Sequence, residues 1–207
     1  MYQRSSVIQD QQTRRVRRPS LAAQCVRQVV VPEDLVRKFV ECSQSNTLLK
    51  LETGGLLMAH LVDNKYIVDV LLIPKQEGGS DRWRTTDEYE VARFKEANPS
   101  LHFVGTIHTH PWHHPHTPVP SSVDLHQHHK IQVDQPSAIA IIVEPGNLQK
   151  TFYMITEFGM TDLASCTADQ NENDGFHFHR SVRRLYSFAL HAVTENITFE
   201  ITDQRDD

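Results

Sequence analysis

Apolar residues recur along this chain in short bursts, and the spacing within a burst changes from one segment to the next. Leu35, Val36, Phe39 and Val40 fall on one face of a helix, and Pro32 with Glu33 opens that pattern. Gly54 to Leu61 and Tyr66 to Ile73 are apolar runs of strand length separated by Asp63-Asn64-Lys65, which predicts a β-hairpin. Pro74 to Arg84 is polar and Gly-rich and predicts a loop. Thr85 with Glu88 has the spacing of a capping box for a helix carrying Tyr89, Ala92 and Phe94, ended by Asn98-Pro99-Ser100. Leu101 to His108 predicts a strand, and Ser121 caps a helix running towards Val133. Ser137 to Glu144 and Thr151 to Thr156 predict two strands around a Pro145-Gly146-Asn147 turn. A polar loop follows Cys166, and the alternation of Ile197, Phe199 and Ile201 predicts a last strand over Asn196 to Thr202. Helices mixed with strands and hairpins point to an α/β or α+β sheet flanked by helices. Residues 1–28 are polar with a basic run at Arg14, Arg15, Arg17 and Arg18, so a flexible tail is expected there and one domain over 29–207.

Composition narrows the class. The 207 residues are 39% hydrophobic and 23% charged, enough apolar material for one ordinary domain with a core. A net charge of −5 leaves no overall basic footprint for nucleic acid. No run reaches the roughly 18 apolar residues of a membrane span, and no basic start followed by an apolar stretch marks a secretory leader. Cys25, Cys42 and Cys166 cannot build a disulfide framework, so a reducing, cytoplasmic setting is the expectation and Cys166 is available as a thiolate ligand. Thirteen histidines are the outlier, and their spacing carries the chemistry.

His108 and His110 stand two apart at the end of a strand, where alternate side chains share a face and both imidazoles reach one ion. Asp124 lies in the first turn of the next helix. Two nitrogens and one oxygen suit a zinc that keeps one position open for water, which the metal makes easier to deprotonate. Glu52, at the start of the first hairpin strand, is the candidate general base and then general acid. Ser121, one helical turn before Asp124, is a candidate donor to an oxyanion as well as the helix cap. Solvated surface histidines are the competing explanation of the same pattern. His126 is two residues beyond Asp124, about 200° around the helix, so the two side chains point apart. With Cys166, His177 and His179 it makes one thiolate and three imidazoles, a closed set for structural zinc, unless Cys166 is a buried apolar residue and the histidines a polar loop. His113, His114, His116, His128 and His129 read as a solvated loop and helix face.

Glu52-Thr53, His108-Thr109-His110-Pro111 and Ser121-Ser122-Val123-Asp124 resemble the JAMM (MPN+) zinc metalloprotease signature, closest to its AMSH branch of deubiquitinases. The resemblance runs from about Val30 to Asp203 and includes Pro32-Glu33-Asp34-Leu35, Leu72-Ile73-Pro74-Lys75-Gln76, Gly79-Ser80-Asp81 and Ser122-Val123-Asp124-Leu125-His126. It implies the MPN fold, which is cytidine-deaminase-like, with a mixed central β-sheet flanked by helices. It implies two zinc ions: one catalytic on His108, His110 and Asp124, one structural on His126, Cys166, His177 and His179. It also implies that Phe176, in Gly175-Phe176-His177, lies against the proximal ubiquitin.

Several departures stand out. Thirteen residues separate His110 from Asp124, a longer stretch than the family pattern has, with the extra length in Trp112 to Pro118. The segment from Cys166 to His177 is also extended, Val119 and Pro120 replace the usual aromatic before Ser121, Thr106 replaces a tryptophan, and Ala59 replaces a glycine. None removes a ligand. The docking domain that ties AMSH relatives to endosomal sorting complexes has no counterpart in the sequence, which leaves any endosomal association to other subunits. The expected activity is hydrolysis of isopeptide bonds in polyubiquitin, with lysine-63 linkages favoured. The alternatives are a catalytically silent ubiquitin-binding MPN scaffold, or a JAMM peptidase for another ubiquitin-like modifier.

Overall fold

The structure, a computed structural model, describes residues 27–112, 117–167, 177–179 and 182–205. Three buried valines, Val29, Val30 and Val31, form the heart of β1 (Gln28–Pro32), which lies parallel to β3 (Lys65–Ile73) and to β10 (Ala192–Glu195). The helix α1 begins only at Leu35 (Leu35–Cys42) and is followed by the short α2 (Gln44–Leu48). Pro32 therefore closes a strand and does not open the helix. A short, wholly apolar run suits a strand covered on both faces, and the helical periodicity just downstream obscures it in sequence. The tail boundary expected at residue 28 falls at this strand: Arg27 already donates to the Tyr66 hydroxyl at 2.7 Å, and residues 1–26 are outside the described set.

The hairpin of β2 (Gly54–Val62) and β3 forms as read. Asp63 and Asn64 take φ of 46° and 64°, the left-handed pair that lets a two-residue turn follow the strand twist. Next come β6 (His102–Thr109), antiparallel to β2, and β7 (Ile139–Val143), parallel to β6. Beyond them lie β8 (Lys150–Ile155) and β9 (Tyr186–Phe188), so the sheet runs β10-β1-β3-β2-β6-β7-β8-β9. The last strand, β11 (Glu200–Asp203), pairs with the second half of β3. Of the strand expected over Asn196 to Thr202, only the end from Glu200 lies in β11; Asn196 to Phe199 form the connection from β10, which ends at Glu195.

Three other local readings change. The loop expected after Pro74 contains a ribbon of β4 (Gln76–Gly78) and β5 (Trp83–Thr85). The next helix, α3 (Glu88–Ala97), is capped by Asp87, which accepts from the Glu90 amide at 3.0 Å; the Thr85 hydroxyl instead donates to the Lys75 carbonyl. A further helix, α5 (Glu157–Ala164), precedes Cys166 and is capped by Thr156. Its small residues and short length give it little periodicity to detect.

Alternate residues of the central strands go to opposite faces. Leu57, Leu71, Ile73, Ile107 and Ile141 meet Leu35, Val36 and Phe39 of α1 on one face. On the other, Met58, Val70 and Leu72 meet Val91 and Phe94 of α3, while Ala140, Ile142 and Tyr153 meet Leu125 of α4 (Ser122–Asp134) and Leu163 of α5. This double coverage explains why β3 and β7 are apolar almost throughout. Truncating the wholly buried Phe39 to Ala would cost about 3–5 kcal/mol. Among the described residues no helix is long and apolar enough to cross a membrane.

β6 and β7 are parallel, so the chain must cross over between them, and α4 is that crossover. The crossover sets the N-terminal turn of α4 beside the C-terminal end of β6. That juxtaposition builds the site.

Candidate active site and metal centres

At the end of β6 the backbone is pinned on both sides. The Thr109 amide donates to the Thr53 carbonyl at 2.9 Å, the Thr53 amide donates to the Thr109 hydroxyl at 2.9 Å, and the His110 amide donates to the Val143 carbonyl at 2.8 Å. Upstream, Gly105 sits at φ +149°, and a Cβ there would lie 1.9 Å from the Ile139 carbonyl oxygen. Only glycine lets β6 approach β7 this closely.

His108 and His110 point their Nε2 atoms at a common centre, 3.2 Å apart. Asp124 completes the set, with Oδ1 3.1 Å from His108 Nε2 and Oδ2 3.4 Å from His110 Nε2. Ligands held about 2.0–2.1 Å from one tetrahedral zinc stand about 3.3 Å from each other, so the three separations fit a shared ion. Asp124 is aimed by the cap of α4: its Oδ2 accepts from the Ser121 amide at 2.7 Å, and the Ser121 hydroxyl accepts from the Asp124 amide at 3.2 Å. The expected Ser121 cap is therefore present, as a capping box closed by Asp124.

Glu52 is buried beside this trio, its Oε1 3.8 Å from His110 Nε2. Its Oε2 is buried with no hydrogen-bond partner among the described residues, an acceptor waiting for a donor that enters the site. Burial pushes the Glu52 carboxyl up to about 8, with Asp124 and Asp81 adding to the rise and His108 opposing it. Burial also opposes charge on Asp124, but His108 and His110 outweigh it and hold that carboxyl well below the usual range. His108 shows the converse: burial disfavours its cation, yet Asp124 and Glu52 raise its pKa. Two acids and two imidazoles crowded out of water make a place that asks for a cation.

The second set also converges. His126 Nε2 lies 3.2 Å from the Nε2 atoms of both His177 and His179, those two are 2.9 Å apart, and Cys166 Sγ is 3.4 Å from His177 Nε2. Three imidazole nitrogens facing one another cannot all donate, whereas all can ligate a single ion. Asp162 Oδ2 lies 3.5 Å from His179 Nδ1, placed to hold the tautomer that leaves Nε2 for a metal. The His177 amide donates to the Ser122 hydroxyl at 3.0 Å, tying this segment to the start of α4. The expectation that Asp124 and His126 diverge is met, since each joins a different cluster.

The remaining expectations divide. His128, read as part of a solvated helix face, is buried with its ring edge-on to Tyr153, and burial depresses its pKa to about 4. Its neighbour His129 places Nε2 3.1 Å from the Met160 carbonyl. Phe176, His113, His114 and His116 lie outside the described residues. Sequence reading missed the supports: Asp162 by His179, Asn46 donating to the Thr53 hydroxyl at 3.0 Å, and Trp83, whose indole covers Gly54. Each depends on a long-range approach that has no local pattern.

Comparison with known proteins decides the family. A family model described as JAB1/Mov34/MPN/PAD-1 ubiquitin protease matches residues 24–137, more than half of the chain. The chain belongs to this family. It is 33% identical to the human (Homo sapiens) AMSH-like protease over 90% of this chain and 41% of that one. It is 36% identical to the Xenopus laevis STAM-binding protein-like over 82% of this chain and 39% of that one. With the Arabidopsis thaliana AMSH-like ubiquitin thioesterase 2 it shares 35% identity over 90% of this chain and 82% of the relative. The chain therefore spans about two fifths of the length of the animal relatives and most of the plant one. Glu52, His108, His110, Asp124 and His126 lie within the matched residues, whereas Cys166, His177 and His179 lie beyond them.

Proposed function

We propose that this chain is a zinc-dependent deubiquitinase that hydrolyses isopeptide bonds in ubiquitin chains, with lysine-63 linkages favoured. The observation that carries the reading is the trio of His108, His110 and Asp124 at tetrahedral spacing beside a buried Glu52 with an unpartnered oxygen. A zinc ion on the trio would supply Lewis acidity, polarising the scissile carbonyl and the attacking water. Glu52 accepts the proton of that water as the new C–O bond forms, and returns a proton to the lysine amine as the C–N bond breaks. The Ser121 hydroxyl accepts from the Asp124 amide and keeps its own hydrogen to donate to the oxyanion. His126, Cys166, His177 and His179 would hold a second, structural zinc that fastens the segment after α5 to α4, and Phe176 on that segment would meet the proximal ubiquitin.

The relatives named AMSH-like protease and AMSH-like ubiquitin thioesterase support the substrate class; a cytoplasmic, endosome-associated setting is part of the proposal. Because the three ligands and the acid are all present, a silent scaffold is disfavoured. The test is a panel of linkage-defined di-ubiquitins, with metal measured on the same preparation. Cleavage of lysine-63 di-ubiquitin, stopped by a chelator and restored by zinc, is expected. A zinc-loaded protein that cleaves no ubiquitin linkage would sink the reading, and cleavage of other linkages alone would overturn the preference.

A further inference from the structure

Thr53 and Gly54 connect Glu52 to the sheet, and their peptide groups face opposite ways. Those of Thr53 are bonded to Thr109 on the β6 side, so those of Gly54 face the side of β3. The β2–β3 register pairs Leu56 with Leu72, and two residues further along it sets Pro74 opposite Gly54. A proline has no N–H to give to that ladder. The gap is filled by a side chain. Gln76 Nε2 donates to the Gly54 carbonyl at 2.8 Å and to the Pro74 carbonyl at 3.1 Å, while its Oε1 accepts from the Gly54 amide at 2.7 Å.

The same ribbon closes around Glu52 from other directions. The Glu52 amide donates to the Gly79 carbonyl at 2.8 Å, and a Cβ on Gly78 would stand 2.2 Å from the Glu52 carbonyl oxygen. A Cβ on Gly54 would lie 1.9 Å from the Trp83 ring. Among the described residues Gln76 is thus the polar clasp that bonds both peptide groups of Gly54 on the β3 side.

We propose that Gln76 is a positioning residue of the site: its carboxamide replaces the peptide group that Pro74 cannot offer, and so holds the strand end that aims Glu52 at His110. This rests on the reading of Glu52 as the proton acceptor. Gln76→Leu keeps the side chain's bulk but loses all three bonds. In the full chain it retains zinc and fold while kcat on lysine-63 di-ubiquitin falls roughly ten- to hundredfold, as a misplaced catalytic group requires. KM stays within about threefold, because the substrate surface is untouched. Gln76→Glu keeps only the acceptor and falls between Gln76→Leu and wild type; it carries the comparison if Gln76→Leu does not fold. In a Glu52→Ala background Gln76→Leu costs nothing further, which a merely structural role would not give. An equal loss in that background, or wild-type kcat in Gln76→Leu, overturns the proposal. Amide exchange provides an arm independent of activity. Gln76→Leu speeds exchange at Gly54 by at least about tenfold and leaves Leu57 unchanged, and unaltered exchange at Gly54 overturns the clasp even where the deubiquitinase reading itself fails.

Discussion

The two histidine clusters draw on the same helix and are built by opposite means. His108, His110 and Asp124 come from a strand end and the helix turn beside it, each pinned by sheet pairing or by the α4 cap. His126 is the only member of the second cluster on α4, and its partners Cys166, His177 and His179 come from the segment that follows α5. Asp124 and His126 serve both because a separation of two turns them about 200° apart on the helix. Three donors leave a position for chemistry, and a buried acid whose Oε2 has no hydrogen-bond partner among the described residues stands next to them. Four donors leave none. Rigid elements hold the set with an open position, whereas irregular chain is held by the set that is closed.

That contrast can be broken at graded cost. The largest effect is expected from Glu52→Ala, which should keep its zinc content yet lose activity on the order of a thousandfold; near-normal turnover would remove Glu52 from the chemistry. Ser121→Ala should reduce kcat roughly a hundredfold if the hydroxyl meets an oxyanion, against about 1 kcal/mol of stability for the lost cap; a loss of stability alone would leave it a cap. Cys166→Ser attacks the closed cluster. It should lower bound zinc and the melting temperature while activity falls only about tenfold, since the three reacting-site ligands are untouched. Smallest is Asp162→Asn, which removes the carboxylate beside His179 Nδ1 and should weaken zinc retention in a chelator competition by roughly tenfold, with kcat at saturating zinc unchanged. If Cys166→Ser abolished activity as completely as Glu52→Ala, the division into a reacting and a fastening cluster would fail.

The sequence was most readable where one local rule acted alone. The hairpin turn at Asp63 and Asn64, the Ser121 cap and the β6 strand end follow from periodicity and side-chain chemistry within a few residues. Reading failed where rules competed. Pro32 and Glu33 looked like a helix start because the apolar helix face followed at once, and burial on both faces of β1 was invisible. Thr85 and Glu88 had capping-box spacing, but the β4–β5 ribbon holds Thr85 and leaves the cap to Asp87. His128 looked solvated by composition, while packing against Tyr153 buries it.

By itself the sequence determined the chemical inventory: two imidazoles two apart at a strand end, an aspartate in the next helical turn, an acid upstream, and a further His, Cys and His pair. These follow from residue type and short-range geometry, which a strand period of two and a helix period of 3.6 dictate. Only the tertiary structure decided that Glu52 is buried with an unpartnered oxygen and that Gln76 takes the place of a peptide beside Pro74. It also brought His126 to residues about fifty positions away. Burial and long-range pairing depend on which elements share a face, and that is settled by the packing of the whole domain.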